Sequence, residues 1–277
     1  MSSHTVMVNI IKSVGEILLE SFLFDYDGTL GKTLERQFLW FPKWAEMNKI
    51  PWKKISFKEF TQRYNAAIER GDFMEAYKEF GLPCDLEEKP CRVWIEYNNF
   101  KINNPAQLYE GVPELITKIH ASFSIPKYMN KRIRMGINTT NHWSSIEQEL
   151  SMYGLLDFFD SKISAEDLGL YSDDGVGKPL NKPNKISLDL SLNTLGANGF
   201  RTLFMGDTIN DLRAGKSIPR NGNAFDTESL IMIGFAGGYA GRKKLEEGFN
   251  TGKKTYHYDY IVDNHIETLK VLDDIRG

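Results

Sequence analysis

Short apolar runs that end in turn residues recur along the chain, at residues 21–24, 133–137, 162–164, 202–205 and 230–235. They are rich in β-branched and aromatic residues and mostly lack alternation with polar positions, which marks strands buried on both faces. Between them the apolar positions fall at helical spacing: Val112, Leu115, Ile116 and Ile119, then Ile146, Leu150 and Tyr153, then Ile186, Leu188, Leu192 and Leu195. Regular alternation of strand and helix predicts an α/β fold, a Rossmann-like doubly wound parallel sheet. Residues 260–262 predict a sixth strand at the C-terminal edge.

The alternation stops between residues 37 and 108. This stretch is rich in Trp, Phe and Lys, repeats helically at Phe57, Phe60, Tyr64 and Ile68, and has no convincing strand run. The expected organisation is therefore a core of residues 1–36 and 109–277 with a helical insertion of residues 37–108. Pro105, Gly111 and Pro113 punctuate the return to the core. Near the start of the chain, Val6, Ile10, Val14, Ile17 and Leu18 would line one helical face, available to the core or to another subunit.

Composition narrows the class. The chain has 277 residues, 41% hydrophobic, 12% aromatic and 26% charged, which are globular values. A net charge of −3 gives no broad attraction to nucleic acid or anionic membrane, so an anionic ligand needs a local site. Two cysteines, Cys84 and Cys91, provide neither a disulfide framework nor a metal-binding set, in keeping with a cytoplasmic setting. Lys12, Glu16 and Glu20 interrupt the apolar N-terminal run well short of a membrane span, and the run has no basic start or small-residue cleavage site of a secretory signal.

The chemistry gathers at two strand ends. Phe22-Leu23-Phe24-Asp25-Tyr26-Asp27-Gly28 delivers two carboxylates at the C-terminal end of a strand, where open α/β sheets bind ligands. Residues two apart on a strand share a face, so Asp25 and Asp27 could point at one site, although an Asp-Gly turn alone would show the same letters. Met205-Gly206-Asp207-Thr208-Ile209-Asn210-Asp211 repeats the arrangement, its two acids one helical turn apart. Asp207 could also be an ordinary helix N-cap. Two acidic strand ends in one sheet suggest one metal site, and hard oxygen ligands from Asp25, Asp207 and a backbone carbonyl suit Mg²⁺.

Four segments in order carry a resemblance: the DxDGTL run from Asp25, Thr139-Thr140-Asn141, Lys182-Pro183, and the GDxxxD run from Gly206 to Asp211. Together they resemble the four motifs of the haloacid dehalogenase-like hydrolases, over residues 21–272. Glu110-Gly111-Val112-Pro113, Gly237-Gly238-Tyr239 with Arg242 and Leu245, and Asp259-Tyr260-Ile261-Val262 are similar to the phosphoglycolate phosphatase-like branch. The resemblance implies that Asp25 is the nucleophile, forming an aspartyl-phosphate, and that Asp27 is the general acid and base. Thr139 and Lys182 would complete the catalytic set, and Thr139, Thr140 and Lys182 would bind the substrate phosphate. Asp25, the Asp27 carbonyl, Asp207 and Asp211 would hold Mg²⁺, Asp211 directly or through water. The insertion would be a cap domain that closes over the site.

Lys178-Pro179 competes with Lys182-Pro183 for the lysine position, and spacing to Leu195-Gly196 and Asp207 favours Lys182. By the resemblance, the presence of Asp27 argues against a dehalogenase, which has no alkoxide leaving group to protonate and generally lacks this Asp, and against the family's phosphonatases, which replace it. At the edge of the insertion Arg36, and within it Arg63, Arg70 and Arg92, could bind a carboxylate or second phosphate, but burial preference favours solvated surface charges. Trp40, Phe41, Trp44 and Trp52 read as insertion core. Residues 169–181 and 219–229 are longer than the compact family pattern, and the five histidines show no metal-ligand spacing. The reading is a Mg²⁺-dependent phosphatase of a small phosphorylated metabolite, a phosphomonoester such as phosphoglycolate, working as monomer or homodimer without nucleic acid or membrane. The alternatives are a phosphomutase, a sugar-phosphate or nucleotide phosphatase, or a catalytically silent phosphate-binding protein on the same scaffold.

Overall fold

The computed structural model describes residues 19–70, 73–84, 91–122, 132–172, 180–197, 201–218 and 230–276. The helical face expected around Val6 to Leu18, the competing Lys178 and the 219–229 insertion lie outside these residues. In chain order the elements are β1 (Ser21–Phe24), α1 (Thr33–Met47), α2 (Phe57–Arg70), α3 (Phe73–Glu79), α4 (Arg92–Asn103), α5 (Val112–Ser122), β2 (Arg134–Asn138), α6 (Trp143–Met152), β3 (Ser161–Ile163), α7 (Ala165–Gly169), α8 (Ile186–Leu195), β4 (Thr202–Gly206), α9 (Ile209–Lys216), β5 (Ile231–Phe235), α10 (Gly241–Glu247), β6 (Phe249–Asn250), β7 (Thr255–Tyr256), β8 (Tyr260–Val262) and α11 (Glu267–Arg276).

Among the described residues, six strands form one sheet in the order β3-β2-β1-β4-β5-β8, and every pairing is parallel. The expected doubly wound α/β sheet is the observed one. Strand side chains alternate between two apolar layers, as a period of two requires. Phe22 and Phe24 enter the layer with Val112, Leu115, Ile116, Ile119, Ile146, Leu150 and Leu272, under α5, α6 and α11. Leu23 and Phe204 enter the opposite layer with Leu188, Leu192, Leu212 and Leu245, under α8, α9 and α10. With helices on both faces, the strands need no polar side, which is why they read as continuous apolar runs.

The chain runs outward from β1 to β2 and β3, then crosses back to β4 beside β1 and continues outward to β5 and β8. The order therefore reverses between β1 and β4, where such sheets open a crevice at their carboxyl ends. Phe24 pairs with Met205, so the residues that follow these two strands lie side by side.

The chain divides into two compact units, one of residues Lys32–Gln107 and the other carrying the sheet. The smaller unit is helical, α1 to α4. Trp40, Phe41, Trp44, Phe60 and Tyr77 are buried in it. Trp40 Nε1 donates to Tyr77 Oη at 2.7 Å, and the Phe41 and Phe60 rings meet edge to face at 5.2 Å. The tryptophan-rich segment is thus the core of this unit. Arg63 pairs with Glu79 at 3.1 Å and lies over Phe80, and Arg92 lies over Trp44, so both act as surface tethers. Arg36 departs from the solvated reading, being only 3% exposed.

Two features went beyond the sequence patterns. The β6–β7 hairpin has two residues per strand, too few to leave a periodic signal. Helix α7 is similarly short, and it is fixed by a capping box in which Ser164 N and Oγ both donate to Asp167 Oδ2.

Candidate active site

The site grows from the β1–β4 crevice. Asp25 follows β1 directly, and its backbone N–H extends the ladder to Met205 O at 2.8 Å. The chain then turns tightly, with Leu30 N and Gly31 N both donating to Tyr26 O at 2.9 Å. Gly28 has φ +79°, and a Cβ there would lie 2.3 Å from Asp207 Oδ2. A Cβ on Gly238 would lie 2.3 Å from the same atom and 2.5 Å from Gly28 O. Two glycines therefore let two backbone segments close on Asp207, and Tyr239 N donates to Asp207 Oδ2 at 2.6 Å.

Asp25, Asp207 and Asp211 are buried, and each offers a carboxylate oxygen within 4.8 Å of the others. Thr29 Oγ1 donates to Asp25 Oδ2 at 3.0 Å and lies 3.4 Å from Asp207 Oδ1. Asp211 is in the first turn of α9, where Oδ2 accepts from Thr208 N at 3.0 Å and Thr208 Oγ1 at 2.6 Å. The N-cap is Thr208, so Asp207 is free of the capping role that its sequence position would also have allowed. Oδ1 of Asp211 faces Lys182 Nζ at 2.7 Å.

Lys182 precedes α8 and sends a buried side chain into the cluster. Its ammonium donates to Asp25 Oδ1 and, at 3.2 Å, to Asn138 O at the end of β2. Asp27 takes another direction: Oδ2 accepts from Thr139 Oγ1 at 3.1 Å and Oδ1 from Asn141 Nδ2 at 3.2 Å. The Asp27 carboxylate is therefore turned toward the end of β2 and stands apart from the three clustered acids. Thr139 is buried, whereas Thr140 beside it is exposed.

Three buried carboxyl groups share one ammonium, so ionising all three is unfavourable without a further cation. Burial pushes the Asp25 carboxyl up to about 7 against the pull of Lys182, and Asp211 and Asp27 add to the rise. Burial, with Asp25 and Asp211 nearby, also holds Asp207 well above the usual carboxylate range. Burial alone would lower Lys182, but Asp211 and Asp25 outweigh it and hold the ammonium above its ordinary value. Closely grouped carboxyl oxygens that resist ionising together fit a hard divalent cation, which would favour their charged forms.

A family model for haloacid dehalogenase-like hydrolases matches residues 19–218, the larger part of the chain. The chain is a haloacid dehalogenase-like hydrolase. Pyrophosphatase PpaX of Listeria welshimeri is 26% identical to the hydrolase over 200 residues, 72% of this chain and 79% of that protein. Pyrophosphatase PpaX of Halalkalibacterium halodurans is 25% identical over 130 residues, 47% of this chain and only 52% of that protein. A solved structure of a candidate β-phosphoglucomutase from Thermotoga maritima shares the fold, with a TM-score of 0.61, 19% identity and coverage of 92% and 99% of the two chains.

The hydrolase thus brings Asp25, Asp207, Asp211 and Lys182 together, and sets Asp27 beside Thr139. Three contributors went unassigned from sequence: the Thr29 hydroxyl, the Asn141 amide and the Tyr239 backbone N–H. Each lies inside a segment that carried the family resemblance, but a backbone N–H, a small hydroxyl or a lone amide has no spacing that singles it out in sequence. No described helix is long and apolar enough to cross a membrane.

Proposed function

We propose that this hydrolase is a Mg²⁺-dependent phosphatase of a small phosphomonoester, acting through an aspartyl-phosphate on Asp25. One arrangement carries the reading: a buried carboxylate held between Lys182 and Thr29, with a second carboxylate, Asp27, held separately by Thr139 and Asn141. Two acids two residues apart in the chain thereby occupy different environments, as nucleophile and proton carrier must.

Asp25, Asp207, Asp211 and the Asp27 carbonyl would hold Mg²⁺, which when bound neutralises negative charge around the phosphoryl group. An Asp25 oxygen attacks phosphorus while the bond from phosphorus to the ester oxygen breaks, and Asp27 gives that oxygen its proton. Asp27 then takes a proton from water, whose oxygen attacks phosphorus and releases inorganic phosphate with the Asp25 carboxylate restored. Lys182 balances charge on the transferring group, the electrostatic work that dominates phosphoryl transfer. Thr139 and Thr140 are the phosphate-contacting residues of this reading, and the helical unit is the cap that selects the leaving group. Phosphoglycolate is the first substrate of choice, and the named activity of the sequence relatives adds inorganic pyrophosphate to the panel.

The test is phosphate release from a panel of small phosphomonoesters and pyrophosphate, with Mg²⁺ or EDTA. The expected result is metal-dependent turnover that falls by about 10³-fold or more in Asp25→Asn. Turnover that survives this substitution, or EDTA, overturns the mechanism, and turnover of pyrophosphate alone overturns the choice of substrate class.

A further inference from the structure

Beyond the residues of the four motifs, the structure holds a buried histidine bonded to a residue that touches the clustered carboxylates. His265 lies between β8 and α11, fully buried, and its Nε2 is 2.8 Å from the backbone carbonyl of Thr29. The ring centroid is 4.3 Å from that of Phe235 and 6.0 Å from that of Tyr109. Gly111, at φ +83°, approaches the start of the side chain, where a Cβ would lie 3.4 Å from His265 Cβ. The imidazole is therefore fixed in place, and a carbonyl acceptor requires that Nε2 carry the proton.

Thr29 is the residue whose hydroxyl donates to Asp25 Oδ2 and approaches Asp207 Oδ1. We infer that His265 is a positioning residue: by holding the Thr29 carbonyl it sets the Thr29 hydroxyl against Asp25 and Asp207, and so fixes the spacing of the nucleophile and a metal-holding carboxylate. The inference rests on the reading of these two acids given above. Burial depresses the imidazole to about 4, keeping it neutral with one proton at neutral pH, as this geometry needs. The helix that follows, α11, packs Leu272 and Ile275 into the core, so the anchor belongs to the rigid body of the domain. Orientation by an outer partner of this kind is a general requirement of precise sites.

The test compares the parent with His265→Phe, His265→Asn and His265→Gln, using Mg²⁺ binding by calorimetry, thermal unfolding in EDTA, and kcat and KM on the best ester of the panel. The Gln amide can occupy the place of Nε2 and donate to Thr29 O, the Asn amide is one methylene short of it, and Phe has no donor. The expected result is at least a fivefold weaker Mg²⁺ dissociation constant and at least a tenfold lower kcat in folded Phe and Asn variants, KM staying within twofold. Gln is expected to restore both quantities to within threefold of the parent. Folded Phe and Asn variants that match the parent overturn the inference alone, as does a folded Gln variant as impaired as Phe. Loss of folding in all three variants assigns His265 a purely structural role and also overturns it. A parent that neither binds Mg²⁺ nor turns over any ester overturns the reading of the site, and this inference with it.

Discussion

At the scale of single residues, the site sets like charges against one another. Asp207 is buried beside two other carboxylates, and Lys182 pairs with those two, Asp25 and Asp211. Asp207→Asn removes one crowded acid while keeping an acceptor for Tyr239 N. In EDTA the variant should be more stable than the parent by about 1 kcal/mol, since sites shaped for function store such strain. Its melting temperature should no longer rise with Mg²⁺, and an undiminished Mg²⁺ shift would remove Asp207 from the metal-holding set. His265 gives a separate prediction, about pH. Its folded value of about 4 lies below the ordinary 6.5, so above pH 6.5 both states are neutral and no stability is lost. As pH falls below 6.5 the unfolded chain takes up a proton that the folded chain refuses, until the folded ring titrates near 4. The loss is about 1.4 kcal/mol per pH unit, about 3 kcal/mol in all. Urea unfolding between pH 7 and 4.5 should show this extra slope in the parent relative to His265→Gln, and parallel slopes would contradict it.

At the scale of elements, the meeting of three loops decides whether the acids converge. The turn after β1 and the turn after β5 close on Asp207 only because Gly28 and Gly238 have no side chain there. Gly238→Ala forces a methyl group against Asp207 Cβ and Gly28 O, and should cost about 1–3 kcal/mol by overpacking together with at least a hundredfold loss of kcat/KM. Gly252→Ala is the control. It has φ +83° but open space around it, so only backbone strain of about 1 kcal/mol applies and turnover should be unchanged. Equal effects of the two substitutions would show that the contact with Asp207 is unimportant. This contrast also explains what was legible beforehand. Burial on both faces wrote β1, β4 and β5 as plain apolar runs, and the acids at their ends pointed to one crevice as soon as the sheet was inferred. The Thr29–His265 bond joins residues 236 positions apart through a backbone carbonyl, so no local pattern could announce it.

At the scale of the whole molecule, the helical unit enters and leaves the sheet-bearing unit at one place. Gly31 and Leu108 form an antiparallel bridge, and Tyr109 N donates to Leu30 O at 2.9 Å, so both ends of the excursion are already tied within the core. The break in the alternation of apolar strand runs with helices, replaced by an aromatic helical pattern, made this insertion readable. A substrate preference was not readable from it, because Trp40, Phe41 and Trp44 serve its own core and leave no substrate motif. Both strand layers that hold Asp25 and Asp207 are packed by helices outside residues 32–107. Replacing residues 32–107 by a short glycine linker should therefore give a chain that unfolds cooperatively and binds Mg²⁺ within about tenfold of the parent, because closing a short gap between adjacent ends costs little entropy. If the unit is the cap of the proposed function, the same chain should lose at least about a hundredfold in kcat/KM on the preferred ester and discriminate poorly among esters, since the enclosure that excludes water and contacts the leaving group is gone. Calorimetry and the ester panel measure the two properties separately. Retained selectivity in the shortened chain would move substrate recognition from the helical unit to the loops around Thr139 and Tyr239.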